Sequence, residues 1–224
     1  MKFISITGFP RTGTTWLLRA LLNSPDCSGV PAELGFPRIW WTNTVMRRDW
    51  PGNPIDLGWK RVATLNPLKA KNAASIIAWP GLYCANWLKR IGPTRLLDAI
   101  ANEVRDLDKP AFVEKTPCDL WVPDWPAAYV EKSRLFDDHR LIVCRRDFGD
   151  IWKSAARKYD HWLSTMDRDD YQGQYDRYYE AAEGFDACLM DHGRVSKDPV
   201  AQFERACEYC DISPGEVPEW KVTT

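Results

Sequence analysis

The chain has 224 residues, 45% of them hydrophobic and 27% charged, with a formal net charge of −1 at pH 7. That balance belongs to an ordinary globular chain of one-domain size and excludes dominant disorder. A charge so close to zero gives no general affinity for nucleic acid or anionic membrane, so any anion site must arise from local arrangement. No stretch approaches the roughly 20 apolar residues of a membrane helix, and the apolar run in MKFISITGFPRTGTTW is too short for a signal peptide. Seven cysteines without framework spacing favour a reducing compartment. The expectation is one cytoplasmic domain over residues 1–224.

In chain order, residues 2–7 (KFISIT) read as a short buried strand rich in β-branched and aromatic residues. A Gly-bounded turn follows, and then TTWLLRALLNS, whose Trp16, Leu17, Leu18, Leu21 and Leu22 suit a helix packed on a sheet, ended by Pro25. Strand, turn and helix in that order open a βαβ unit. Residues 25–67, rich in Pro, Gly and Trp, read as an irregular insertion over the sheet's C-terminal edge, with one helix near residues 38–48. Helical patterns follow over 68–79 and 94–107. Residues 111–115 (AFVEK) and 140–145 (RLIVCR) read as strands. Helix returns over 149–163, the polar, Tyr-rich stretch 167–190 reads as helical, and an amphipathic helix covers 199–209. The twelve tryptophans, most of them between residues 40 and 162, read mainly as core. The Cys207/Cys210 pair lies in a helical pattern with no second pair or His cluster. Packing is the better reading there than zinc or redox chemistry.

Gly8-x4-Gly13-Thr14-Thr15 has the spacing of a phosphate-binding loop, but Thr14 stands where that loop carries lysine. Glycines let backbone N–H groups converge on an anion, and a helix N-terminus adds partial positive charge. Thr14 and Thr15 offer hydroxyls, and Arg11 supplies the formal charge. Without the lysine, a site for Mg·ATP is disfavoured. A second candidate anion site follows the strand at 140–145. Arg146 lies at its C-terminal end and Ser154 one to two turns into the next helix, with Lys153, Arg157 and Lys158 nearby. Two anion sites on one sheet edge suit a nucleotide with phosphates at two positions.

These residues resemble the sulfotransferase family that uses 3′-phosphoadenosine 5′-phosphosulfate (PAPS) and releases 3′,5′-adenosine bisphosphate (PAP). TGFPRTGTTW looks like its 5′-phosphosulfate loop, and Arg146-x7-Ser154 like its 3′-phosphate motif. VEKTP, residues 113–117, is similar to its strand-end Lys-Thr/Ser-Pro element, and VSKDPVAQFERACEYCDI to its C-terminal helix. The resemblance implies an α/β, P-loop NTPase-like, three-layer α/β/α fold with a central parallel sheet. It implies that Arg11, Thr12, Gly13, Thr14 and Thr15 bind the 5′-phosphosulfate, that Trp16 stacks on or near adenine, and that Arg146 and Ser154 bind the 3′-phosphate. Arg11 and Lys115 would stabilise charge at the reacting centre.

Pro117 stands where the cytosolic small-molecule type carries a catalytic His. SPDCSGVPAELGFPRIW resembles the segment of the protein-tyrosine and carbohydrate type, which makes Glu33 the candidate base, with His161 as the fallback. The family's glycine- and basic-rich 3′-phosphate loop has no recognisable copy before Thr224. PAPS is then the co-substrate, no metal is required, and the acceptor is a small molecule, carbohydrate or peptide, with no nucleic acid or membrane partner. Two alternatives stay open: a P-loop kinase using ATP, and a catalytically silent nucleotide-binding protein on the same fold.

Overall fold

Phe3, Ile4 and Ile6 of KFISITG are buried on both sides of the strand, which suits the middle of a parallel sheet with both faces covered. In a computed structural model, described over residues 1–33, 109–115, 136–158 and 167–220 and at positions 126, 129, 130, 133 and 134, this segment forms β1 (Lys2–Gly8). It is followed by α1 (Thr14–Leu22), β2 (Cys27–Glu33), β3 (Ala111–Lys115) and β4 (Asp138–Arg145). Then come α2 (Phe148–Lys158), α3 (Arg168–Ala182), β5 (Cys188–Asp191), α4 (His192–Lys197) and α5 (Pro199–Cys210). The sheet order is β2-β3-β1-β4-β5, and every described pairing is parallel.

Alternate residues of the strands serve two cores. Ile4, Ile6, Ile142 and Cys144 pack with Leu17, Leu18 and Leu21 of α1 and with Phe203, Ala206 and Cys210 of α5. On the opposite face Leu141 and Val143 pack with Ile151 and Ala155 of α2 and with the tyrosines of α3. Helix, sheet and helix thus form the three expected layers. Because β1 lies between β3 and β4, its C-terminal end is the point from which the chain leaves to both sides. Ligands bind at such a point in open α/β sheets.

The structure corrects the sequence reading in three places. Residues 27–33 are not irregular: CSGVPAE forms the edge strand β2. Gly and Pro argue against a strand by local preference, yet an edge position tolerates Pro31, and the register with β3 shifts between Gly29 and Glu33. The helix expected over 167–190 stops at Ala182, and residues 188–191 pair with β4 as β5. A four-residue strand carries too little periodicity to be read alone, so its pairing decides it. α4, absent from the sequence reading, follows directly, capped by the Asp191 carboxylate on the Arg194 N–H. At α1 the C-cap is Asn23, whose N–H donates to the Ala20 carbonyl while the Ser24 N–H donates to that of Leu21, so the helix ends before Pro25 is reached. The expected helices at 38–48, 68–79 and 94–107, and the end of the one expected over 149–163, lie outside the described residues.

Cys207 and Cys210 are free thiols buried in the core with Cys27 and Cys188, in keeping with packing. Burial pushes Cys27 up to about 11 and Cys207 up to about 12. Such thiols stay protonated and unreactive at neutral pH. Among the described residues no His, Cys, Asp and Glu group could hold a metal ion, and no helix is long and apolar enough to cross a membrane.

Candidate functional site

The turn between β1 and α1 is fixed by close approaches that only some residues permit. A side chain at Gly8 would put its Cβ 2.5 Å from the Cys144 carbonyl oxygen and 2.6 Å from Thr12 Oγ1. Gly13, the N-cap of α1, has φ 93°, a left-handed conformation natural to glycine. No side chain caps α1, so its leading N–H groups, which have no carbonyl four residues back, are available to an anion. Thr12 is buried and donates its hydroxyl to the Phe9 carbonyl at 2.7 Å, which closes the loop on itself. The hydroxyl of Thr12 is therefore committed to the loop. Thr14 is buried and Thr15 exposed at the helix start.

Arg11 also adopts a positive φ, 73°, which costs a non-glycine residue about 1–3 kcal/mol and persists only when neighbours hold it. Two contacts hold it: Arg11 Nε donates to Ser154 Oγ at 2.9 Å, and Arg146 Nη1 donates to the Arg11 carbonyl at 3.3 Å. The two anion sites inferred from separate motifs are thus one cluster, joined through Arg11. Burial pulls the Arg146 guanidinium below the usual arginine range; Arg11 and Arg157 add to this, against Asp150 and Asp147. Its Nε is buried and has no hydrogen-bond partner among the described residues. A buried cationic donor without an acceptor is the signature of a place where an anion fits. Lys153 and Arg157 are exposed along α2.

Lys115 ends β3 and is only 6% exposed; its Nζ donates to Thr15 Oγ1 at 2.9 Å across the mouth of the loop. The register pairs Glu33 at the end of β2 with Lys115, so the backbone brings both residues to the same sheet edge as the loop. Trp16 is half-buried, its indole N–H donates to the Pro218 carbonyl at 3.0 Å, and its ring meets Trp220 edge-on at 4.9 Å. His161 and Pro117 lie outside the described residues.

A family model described as "Sulfotransferase family" matches residues 4–214. The chain belongs to the sulfotransferase family. Among solved structures it is similar to the sulfotransferase domain of the Synechococcus PCC 7002 olefin synthase. The TM-score is 0.64 at 16% identity, over 97% of this chain and 75% of that one. A sulfotransferase from Alicyclobacillus acidocaldarius aligns with TM-score 0.53 and 14% identity, over 98% of this chain and 86% of that one. At such identities the structural likeness speaks for the fold. No curated protein sequence gave a significant match. Sulfuryl transfer is the chemistry of this family, which makes the chain a transferase.

Two features of this sulfotransferase escaped the sequence reading. The first is a tyrosine ladder on α3 that braces the loop and the strand beside it. Tyr178 Oη and Thr7 Oγ1 are 2.5 Å apart. Tyr179 Oη accepts the Phe9 N–H at 3.3 Å and donates to the Cys144 carbonyl at 2.7 Å. Tyr175 Oη donates to the Arg146 carbonyl at 2.9 Å, next to the guanidinium that closes the site. Residues 171, 175, 178 and 179 fall on one helical face, so the spacing was a readable signal. Its target was not, because a helical face does not say which strand it will meet.

The second is the segment 211–220, which runs back along α1. Ser213 N–H donates to the Asp26 carboxylate at 2.7 Å, Ser24 Oγ to the Ser213 carbonyl at 2.6 Å, and Asn23 Nδ2 to the Glu216 carbonyl at 2.8 Å. The segment ends with Trp220 against Gly13 and His192. Burial, and next the Arg146 charge, push His192 down to about 4, against Asp150 and Asp191, so the ring is neutral at pH 7.

Proposed function

We propose that this sulfotransferase moves a sulfuryl group from PAPS to a hydroxyl or amine of an acceptor, as one domain built around the β1–α1 loop. The observation that carries the reading is the joining of Arg11, Ser154 and Arg146 beside the uncapped start of α1. One anion fits the helix start and a second fits the unpaired Arg146 Nε, which suits a donor phosphorylated at both 5′ and 3′ positions. In this reading Thr12, through its backbone N–H, and Gly13, Thr14 and Thr15 bind the 5′-phosphosulfate, and Arg146 with Ser154 takes the 3′-phosphate. Trp16 lines the base side of the site.

The acceptor oxygen attacks sulfur while the bond from sulfur to the 5′-phosphate oxygen breaks, and the departing bisphosphate keeps the bonding electrons. Such transfers pass through a loose transition state, so positioning and charge stabilisation supply most of the catalysis. Arg11 and Lys115 neutralise charge on the leaving oxygens, and Glu33 takes the acceptor proton. The charges this chemistry needs come from side chains, and no metal is called for. The acceptor is a small molecule, carbohydrate or peptide.

Thermal unfolding with 3′,5′-adenosine bisphosphate, set against ATP with Mg²⁺, tests the donor. At about 100 times Kd the bisphosphate should add roughly 2.7 kcal/mol of stability. Stabilisation by ATP·Mg²⁺ and none by the bisphosphate would overturn the reading. Glu33→Gln should bind the bisphosphate as wild type does and lose about 10²–10⁴-fold in turnover. Turnover within a few-fold of wild type would remove Glu33 from the base role.

A further inference from the structure

Tyr175 is 7% exposed, and three other rings meet its ring edge-on: Phe9 at 5.4 Å, Phe148 at 5.5 Å and Tyr179 at 4.7 Å between centroids. Packing of that kind fixes the rotamer, so the direction of the hydroxyl is set before any ligand arrives. A buried tyrosine hydroxyl takes a partner, and this one donates to the Arg146 carbonyl at 2.9 Å. The same oxygen faces the Arg145 guanidinium. The hydrogen bond with Tyr175 raises Arg145 above the usual arginine range, against partial burial, and Tyr179 and Glu183 add to the rise. Arg145 also stands over the Tyr179 ring, 5.2 Å from its centroid. A guanidinium can only donate, so the Tyr175 oxygen accepts from Arg145 and its single proton goes to the Arg146 carbonyl.

Arg146 needs such a hold because it lies between two sets of backbone hydrogen bonds. The strand pairings of β4 end at Cys144 on the β1 side and at Arg145 on the β5 side. The helix ladder starts beyond it, with the Ile151 N–H on the Asp147 carbonyl at 3.0 Å and the Asp150 N–H on the Asp147 carboxylate at 3.1 Å. Its side chain is lightly aimed. Nη1 reaches the Arg11 carbonyl at 3.3 Å, and Nε is buried with no partner among the described residues. The peptide that Tyr175 holds is thus the base from which the guanidinium leaves the strand end. A planar guanidinium gains most from a phosphate at one orientation, so a small rotation of that base costs affinity.

We propose that Tyr175 is a positioning residue for recognition of the donor's 3′-phosphate, acting through the Arg146 backbone. This rests on the donor reading above, in which Arg146 takes that phosphate. Arg145 stands behind it as the group that orients the tyrosine hydroxyl. Specificity for a 3′-phosphorylated nucleotide then depends on α3, a helix that carries none of the anion-binding residues named above.

Titration calorimetry with 3′,5′-adenosine bisphosphate and with adenosine 5′-phosphate, which differ only in the 3′-phosphate, tests this. Tyr175→Phe keeps the packed ring and loses the hydroxyl. Its affinity for the bisphosphate should fall about 2- to 12-fold while that for adenosine 5′-phosphate stays at the wild-type value. In an Arg146→Ala background the same substitution should change neither affinity, because the residue it acts through is gone. Wild-type bisphosphate affinity in Tyr175→Phe would overturn the proposal. So would an equal loss for both nucleotides, which a general loosening of α3 would produce, or a full loss persisting in the Arg146→Ala background. If wild type binds the two nucleotides equally well, the donor reading of Arg146 fails first, and that result needs no Tyr175 variant to see.

Discussion

Replacing Tyr179 by Phe removes one oxygen and leaves the ring. The ring keeps its edge-on contacts with Tyr175 and Tyr178 and its place beneath the Arg145 guanidinium, 5.2 Å away, so packing is little changed. What is lost is a bridge of two hydrogen bonds between the Phe9 N–H and the Cys144 carbonyl. Tyr179 is 5% exposed and Phe9 fully buried, so water does not readily replace the hydroxyl. The 2.7 Å bond is strong and the 3.3 Å bond weaker. Leaving a buried donor or acceptor unsatisfied costs about 1–3 kcal/mol, so a loss of about 2–3 kcal/mol in total is expected. For a chain of this size each kcal/mol moves the melting point by about 2–4 °C, giving a drop of about 4–12 °C.

Tyr178→Phe is the comparison, measured in the same thermal melts. Its hydroxyl contacts Thr7 Oγ1, a rotatable group that can find another acceptor, so about 1 kcal/mol is expected. The larger effect at Tyr179 follows from the fixed backbone groups it serves. Equal shifts in the two variants, or a Tyr179→Phe melt within about 1 °C of wild type, would refute the view that this tyrosine braces the loop.

Two further outcomes are expected. Gly13→Ala puts a side chain at φ 93° and 3.1 Å from Trp220, so it should cost about 1–2 kcal/mol in denaturant titration and weaken nucleotide binding as the loop shifts. Against acid, His192 is depressed from 6.5 to about 4. A base depressed in the folded state contributes stability that is present above pH 6.5 and lost as pH falls towards 4. His192→Gln should lack that part of the acid-side decline, and melts of both proteins from pH 7 to 4 would show parallel curves if His192 had no such role.

The sheet's centre was legible because its signals are local. KFISIT and RLIVCR are apolar runs of strand length, and α1 announces itself by leucines at helical spacing after a Gly-bounded turn. β2 and β5 were not legible: CSGVPAE and CLMD owe their strand form to pairing with β3 and β4 at the sheet's two edges. Pairing partners far along the chain leave no periodicity to read. The site divided in the same way. Arg11, Arg146 and Ser154 were named from motif spacing and Lys115 from the family resemblance, and the fold gathers them at one edge. Tyr179, His192 and Trp220 carry no motif, since their roles depend on what α3, β5 and the chain end happen to face.

The amino-acid sequence by itself determined the form of the loop proposed to hold the 5′-anion, because glycine spacing, a missing lysine and a helix start are properties of adjacent residues. It also determined the second cationic position, since a strand end followed by a helix fixes where Arg146 and Ser154 stand. Only the tertiary structure decided that the two positions form one cluster through Arg11, and that residues 211–220 return to wall it. The reason is physical: backbone geometry fixes neighbours a few residues apart, whereas contacts across 135 or 202 residues exist only once the sheet order and the packed cores are chosen.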